Sequence, residues 1–337
     1  MSRRKMYMFL LMTGVMTFGG LQAQEVYDDY DSEYDYDYED EGCCSPFYGR
    51  KYVRGQGRPG NCDPDSQHAW DCGRTGVWLP EDPPLCRPFV ADPRQLTYSV
   101  GWRFNDNAMT KNVIPVSFWD TIPFYRWFGV WPYCGMLQIE LDGGLWACFD
   151  PCTESAPLIN ADYYGGLAVS YAFNDWSFRM RLYHISSHIG DEYLLNHPEF
   201  DRRNPSAETL DFFFSHDLTD EIRYYAGAAV VLHRDESFKC PRYGIEAGCE
   251  VRLPQFGFEQ CCTHFSGYPY YGMQFGYWNK FNRHVNQTYV LGYEFAKKCG
   301  LARKLRFFIE YHDGYSFEGQ FACEPTNYFS VNTSYGY

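Results

Sequence analysis

From about residue 96 to Tyr337, apolar and polar residues alternate with a period of two. Leu96, Tyr98, Val100, Trp102 and Phe104 interleave with Thr97, Ser99, Gly101 and Arg103. A strand sends successive side chains to opposite faces, so this spacing predicts strands with one apolar and one polar side. The pattern returns at 137–149, 163–173 and 176–182. It is sharpest at 242–253, where Tyr243, Ile245, Ala247, Cys249, Val251 and Leu253 oppose Arg242, Gly244, Glu246, Gly248, Glu250 and Arg252. Roughly twelve strands are expected, near 96–104, 114–120, 136–149, 159–173, 176–186, 208–216, 221–233, 242–253, 269–278, 287–296, 304–313 and 328–337. The second is the weakest, because Pro115 cannot donate to a ladder.

Alternation suits a soluble sandwich and a membrane barrel equally. Three features favour the barrel. The segments run near ten residues or longer, the length of tilted membrane strands. Charges recur on one face of several of them, as a polar lumen requires. The final segment, NYFSVNTSYGY, is itself a strand with Phe329, Val331, Thr333, Tyr335 and Tyr337 on one face. No window after the N-terminus holds the run of apolar residues that a membrane helix needs, and in lipid only a helix or a closed barrel satisfies its backbone. The fold expected is therefore all-β: an antiparallel transmembrane barrel of about twelve strands. Asn174–Asp175 and 217–220 become tight periplasmic turns, 187–207 an extracellular loop, and 254–267 an unusually long turn. Arg179, Arg181, Glu140, Asp142, Arg223, Glu246, Glu250, Arg252, Glu294, Arg306 and Glu310 fall on the lumen side. In so small a barrel, opposite charges there should pair.

Residues 1–23 read as a secretory signal: Arg3, Arg4 and Lys5, then a short apolar stretch, then Ala23 at the cut. Residues 24–42 hold ten acidic and no basic residues, a self-repelling low-complexity stretch expected to be disordered. Residues 43–95, rich in Cys, Pro and Gly, read as an irregular periplasmic segment ahead of a barrel at 96–337. The chain carries 29 basic and 43 acidic residues, which excludes a phosphate-binding nucleic-acid partner as a first choice. Aromatics make up 20% of the chain, and barrels use them as girdles at the two interfaces. Fourteen cysteines point to an oxidising compartment, and the lack of any CxxC spacing weakens a zinc ribbon. The vicinal pairs Cys43–Cys44 and Cys261–Cys262 suit disulfides within loops or to other envelope proteins. Cys249 falls on the lipid side as a free thiol.

The stretches WLPEDPPLCRPFVADPR (78–94), LINADYYGGLAVSY (158–171), YHISSHIGDEY (183–193) and EYHDGYSFEGQF (310–321) resemble an uncharacterised family of bacterial outer-membrane barrels, defined only as a domain of unknown function. That resemblance covers about residues 78–337. It implies a barrel and an outer-membrane address in a Gram-negative bacterium. The terminal aromatic strand resembles the signal read by the barrel assembly machinery. More distantly, His184-Ile185-Ser186 is similar to the His-x-Ser pair of outer-membrane phospholipase A, an esterase barrel of twelve strands. Glu208, opening the next strand, stands where those phospholipases use Asn and lipid A deacylases use Glu. This similarity implies esterase chemistry and would admit calcium. Ser187-His188 departs from the Asn-Gly that follows the pair in the phospholipases.

Residues i and i+2 of a strand point the same way, so His184 can serve as general base to Ser186, with Glu208 fixing the imidazole. Their parity continues Phe178, Met180 and Leu182, the side given to lipid, which suits a substrate drawn from the outer leaflet. The same residues would also be ordinary at a polar rim. A metal reading takes His184, His188, Asp191 and Glu192, with zinc favoured over calcium by the imidazoles. On the sequence alone the leading reading is a structural or interaction barrel of the envelope, whose partners are outer-membrane lipids. A surface lipid acyl esterase and a small pore are the alternatives.

Overall fold

The computed structural model describes residues 76–80, 83–260, 265–279, 285–297 and 303–337. The expected signal, the acidic stretch and Cys43, Cys44, Cys62, Cys72, Cys261 and Cys262 lie outside the described residues.

Strand β1 (Gly76–Trp78) precedes β2 (Tyr98–Phe104), β3 (Asn112–Val130), β4 (Gly135–Phe149), β5 (Leu158–Phe173) and β6 (Trp176–Ile189). A short helix α1 (Asp191–Asn196) follows, then β7 (Ser206–Asp217), β8 (Ile222–Arg234), β9 (Tyr243–Arg252) and β10 (Phe258–Gln260). The chain continues through β11 (Phe265–Trp278), β12 (Asn286–Lys297) and β13 (Lys304–Tyr315) to β14 (Pro325–Gly336). Leaving aside the short β1 and β10, each strand pairs antiparallel with the next, and β14 returns to β2. Every strand edge is thereby used, which is how a sheet survives in hydrocarbon.

β3 differs most from its expectation, running 19 residues through both Pro115 and Pro123. The reason is local. The β2–β3 ladder passes from Val116 straight to Val113, so the missing N–H of Pro115 falls at a break. Pro123 lies beyond the reach of β2, beside a register shift against β4.

Side-chain placement inverts that of a soluble protein. Leu141, Leu167, Met180, Leu182, Phe212, Ile245, Leu291, Ile309 and Val331 are exposed on the outer face. Arg179, Arg181, Glu140, Asp142, Arg223, Glu250, Glu294 and Arg306 are buried within. Several of the inner charges pair, as the sequence suggested. Arg181 meets Asp211 at 2.6 Å, and Glu294 takes Lys304, Arg306 and Arg252 at 2.6, 2.9 and 3.1 Å. Cys249 is a free thiol, as its outward parity suggested. Aromatic rings form chains near both ends of the strands. Tyr133, Phe173 and Phe178 mark one end, with centroids 4.3 and 6.0 Å apart, and Phe275, Tyr289, Tyr311 and Phe329 mark the other.

Residues 43–95 were expected to lie ahead of the barrel, and of these 83–95 are described throughout. They are irregular, but they pack inside it. Leu85, Cys86, Phe89, Val90, Ala91 and Leu96 are buried. Phe89 stacks on Tyr225 at 3.8 Å and lies under the Arg223 guanidinium. The wall also holds the segment's backbone: Val90 N–H donates to Glu250 at 2.9 Å, and Arg126 and Arg223 donate to the carbonyls of Pro83 and Arg87. Near the far mouth, Arg94 pairs with Asp162 and donates to the Phe317 carbonyl. The connection between β13 and β14 leans across that mouth. Glu318 meets Arg103 at 3.0 Å, Gly319 N–H donates to Asp162, and Phe321 packs with Val113, Ile159, Ile189 and Tyr193. The interior is thus filled by one segment and roofed by another.

Candidate active site

Antiparallel register brings three outward residues into one row. His184 of β6 stands opposite Glu208 of β7, and Glu208 stands opposite His233 of β8. All three lie near the loop-side ends of their strands: β6 ends at Ile189, β7 starts at Ser206 and β8 ends at Arg234. His184 Nδ1 lies 2.8 Å from Glu208 Oε1, and His233 Nδ1 lies 2.7 Å from Oε2. A carboxylate only accepts, so each Nδ1 carries its hydrogen and donates. The side chains are open to the surroundings, 49% for His184, 41% for Glu208 and 78% for His233. Met180 and Leu182, on the same face of β6, are exposed toward the middle of the barrel.

Ser186 lies two residues beyond His184 on β6, hence on the same face, between Tyr163 of β5 and Ser206 of β7. No hydrogen bond joins Ser186 to His184 here. With Nδ1 committed to Glu208, Nε2 is the ring nitrogen left to take a proton from the hydroxyl. Catalytic hydrogen bonds are often long before substrate arrives. The strand is braced from behind. Ser187 points inward and donates to Asn160 at 2.9 Å, while Gln320 donates to the carbonyls of Ser187 and Arg203, each at 3.1 Å.

The set His184, His188, Asp191 and Glu192 does not gather. His184 is turned to Glu208, His188 packs edge-on to Tyr163 at 5.5 Å, and Asp191 and Glu192 open the first turn of α1. Among the described residues no group of three or more His, Cys, Asp or Glu side chains is placed to hold a metal ion. The acidic and imidazole side chains among the described residues do not form a metal cluster.

Sequence reasoning missed His233. Residues 226–232 carry no polar side chain, so the sequence gives no sign of the register shift that turns His233 outward.

No curated protein matches the chain. Among solved structures, outer membrane phospholipase A from Escherichia coli aligns with a TM-score of 0.48 at 10% identity, covering 71% of this chain and 92% of that one. LpxR from Salmonella typhimurium aligns with a TM-score of 0.39 at 10% identity, covering 72% and 100%. The NanC porin aligns with a TM-score of 0.36 at 11% identity, covering 71% and 100%. The family described as "Protein of unknown function (DUF1207)" matches residues 58–337, and the chain belongs to that family.

Proposed function

We propose that this outer-membrane barrel is a lipid acyl ester hydrolase, with Ser186 as nucleophile, His184 as general base and Glu208 as the group that orients the imidazole. The observation that carries this reading is the 2.8 Å bond from His184 Nδ1 to Glu208 on the outer face, beside a serine on the same strand face. A soluble substrate would call for the cluster to point inward. An acyl chain lying along the oily belt reaches it from outside. The filled and roofed lumen supports chemistry on the outside over passage through the middle.

The reaction runs in two halves. Ser186 Oγ attacks the ester carbonyl carbon while His184 Nε2 takes the hydroxyl proton. The imidazolium gives that proton to the departing alkoxide as the ester C–O bond breaks, leaving an acyl-serine. Water then repeats the sequence, releasing the fatty acid and restoring Ser186. Glu208 keeps His184 in the tautomer with hydrogen on Nδ1 and offsets the imidazolium charge, without itself taking the proton.

In this reading the rim bearing the longer connections, including 190–205 and 316–324, faces outward, and the rim where β2 begins and β14 ends faces the periplasm. The outer leaflet then supplies the substrate, and β14 is the strand offered to the barrel assembly machinery.

The test uses the purified barrel in detergent with phospholipid or lipid A. The wild type should release fatty acid. Ser186→Ala should lower the rate about 10³-fold or more while the barrel remains folded. Absence of any acyl ester cleavage, with or without added calcium, would return the protein to a structural role in the envelope.

A further inference from the structure

We propose that His233 is a positioning residue of the same site, holding the Glu208 carboxylate from the side opposite His184; this rests on the hydrolase reading above. Three observations lead to it. First, the β7–β8 ladder pairs Thr209 with Val231 and then, after a register shift, Glu208 with His233. An unbroken ladder would set Leu232 opposite Glu208 and turn His233 into the lumen. The extra residue makes Leu232 and His233 face outward in succession, both exposed, while Val231 before them is buried. A bulge gives up ladder regularity to re-aim a side chain, and here the re-aimed side chain is an imidazole delivered to a carboxylate.

Second, the two imidazoles divide the carboxylate between them, one on each oxygen, at 2.8 and 2.7 Å. A glutamate held by one donor can still swing about its last torsions, which are soft. Donors on both oxygens fix the plane of the carboxylate, and so the direction in which it holds the His184 ring. Third, His233 has no other evident duty. It is 78% exposed, so packing does not explain it. Neighbouring polar groups are engaged elsewhere: Arg234 donates to the Cys240 carbonyl, Asp235 accepts from Ser237 and Asn204, and His188 packs on Tyr163. Glu208 is left to its two histidines.

The arrangement could be mistaken for a metal site. Both Nδ1 atoms are spent on the carboxylate oxygens, so ring lone pairs do not converge on one point. The geometry points to a hydrogen-bonded row of Ser186, His184, Glu208 and His233. His233 bonds Glu208 and not Ser186, so its effect should appear in turnover and leave binding alone.

The experiment measures fatty acid release from mixed micelles by wild type, His233→Leu, His233→Asn and Ser186→Ala, each first shown to be folded by heat-modifiable gel mobility. His233→Leu should lower kcat about tenfold with KM unchanged. His233→Asn, whose side-chain amide can present an N–H near the place of Nδ1–H, should recover most of that loss. Equal rates for wild type and His233→Leu would overturn the proposal. So would His233→Asn being as slow as His233→Leu, since the N–H would then be irrelevant. Loss of activity to a chelator, restored by zinc, would overturn it in favour of a metal. Should the wild type itself release nothing, the hydrolase reading falls, and this inference with it.

Discussion

Glu208 accepts from two imidazoles, one on each oxygen, and that geometry sets the expectation for its replacement. Glu208→Gln keeps the shape and removes the charge that offsets an imidazolium. One flank of the amide also presents a donor to a donor. Acyl ester turnover should fall by about 10²-fold or more, measured as kcat beside wild type. A different residue governs acid tolerance. Glu318 sits in the connection between β13 and β14, outside the strands. Burial opposes its charge, but Arg103, 3.0 Å away, and then Arg94 outweigh that and hold the carboxyl at about 2 against an ordinary 4.5. A depressed carboxyl contributes stability that is complete above its unfolded value and lost as pH falls through its folded one. The loss should therefore run from about pH 4.5 down to about pH 2, and amount to a few kcal/mol in order of magnitude. Unfolding titrations across that window should show the slope, and Glu318→Gln should flatten it.

At the scale of elements, two strands show how local irregularity is tolerated. β3 keeps its prolines because each falls where the neighbouring ladder is broken or absent. β8 carries a bulge that reverses the parity of everything after Leu232. Period-two reasoning finds the strand, and loses the side to which its end points. Depth along a strand also decides what a substitution costs. Leu291 is 52% exposed near the middle of β12, and Phe329, 59% exposed, lies in the aromatic row with Tyr311, two residues nearer the loop rim than Val331, which shares Leu291's level through Ile309. Leu291→Arg should destabilise the barrel in lipid by about 2–4 kcal/mol, and Phe329→Arg by about 0–1 kcal/mol. Equal costs, read from reversible unfolding in vesicles, would place the oily belt elsewhere.

For the molecule as a whole, closure is the requirement on which the rest depends. β14 bonds β13 on one side and β2 on the other. Without it, two strand edges would face hydrocarbon with unpaired N–H and C=O groups. A chain ending after Tyr315 should give no heat-modifiable folded band in detergent refolding, however well its remaining strands alternate. The interior obeys a second requirement. A twelve-strand wall encloses more room than its own side chains fill, and residues 83–97 occupy the remainder. Their backbone gives further partners to wall groups such as Arg223 and Glu250, which also pair with each other at 3.7 Å.

Much of this was legible along the chain. Alternation at 242–253 gave a strand, its outward residues and its buried charges, because side-chain direction is a local property of extended backbone. His184 and Ser186 could be put on one face for the same reason. What the chain alone could not supply is register between strands, since that depends on turns, bulges and the closing of the ring. Register set Glu208 opposite His184 and brought His233 to its other side. The fate of residues 83–95 was hidden for a related reason: a segment without periodicity carries no sign of which surface it will meet. Local chemistry determined the strands and their faces; only the closed tertiary structure decided which faces meet, because neighbours across a sheet are chosen by the whole ring.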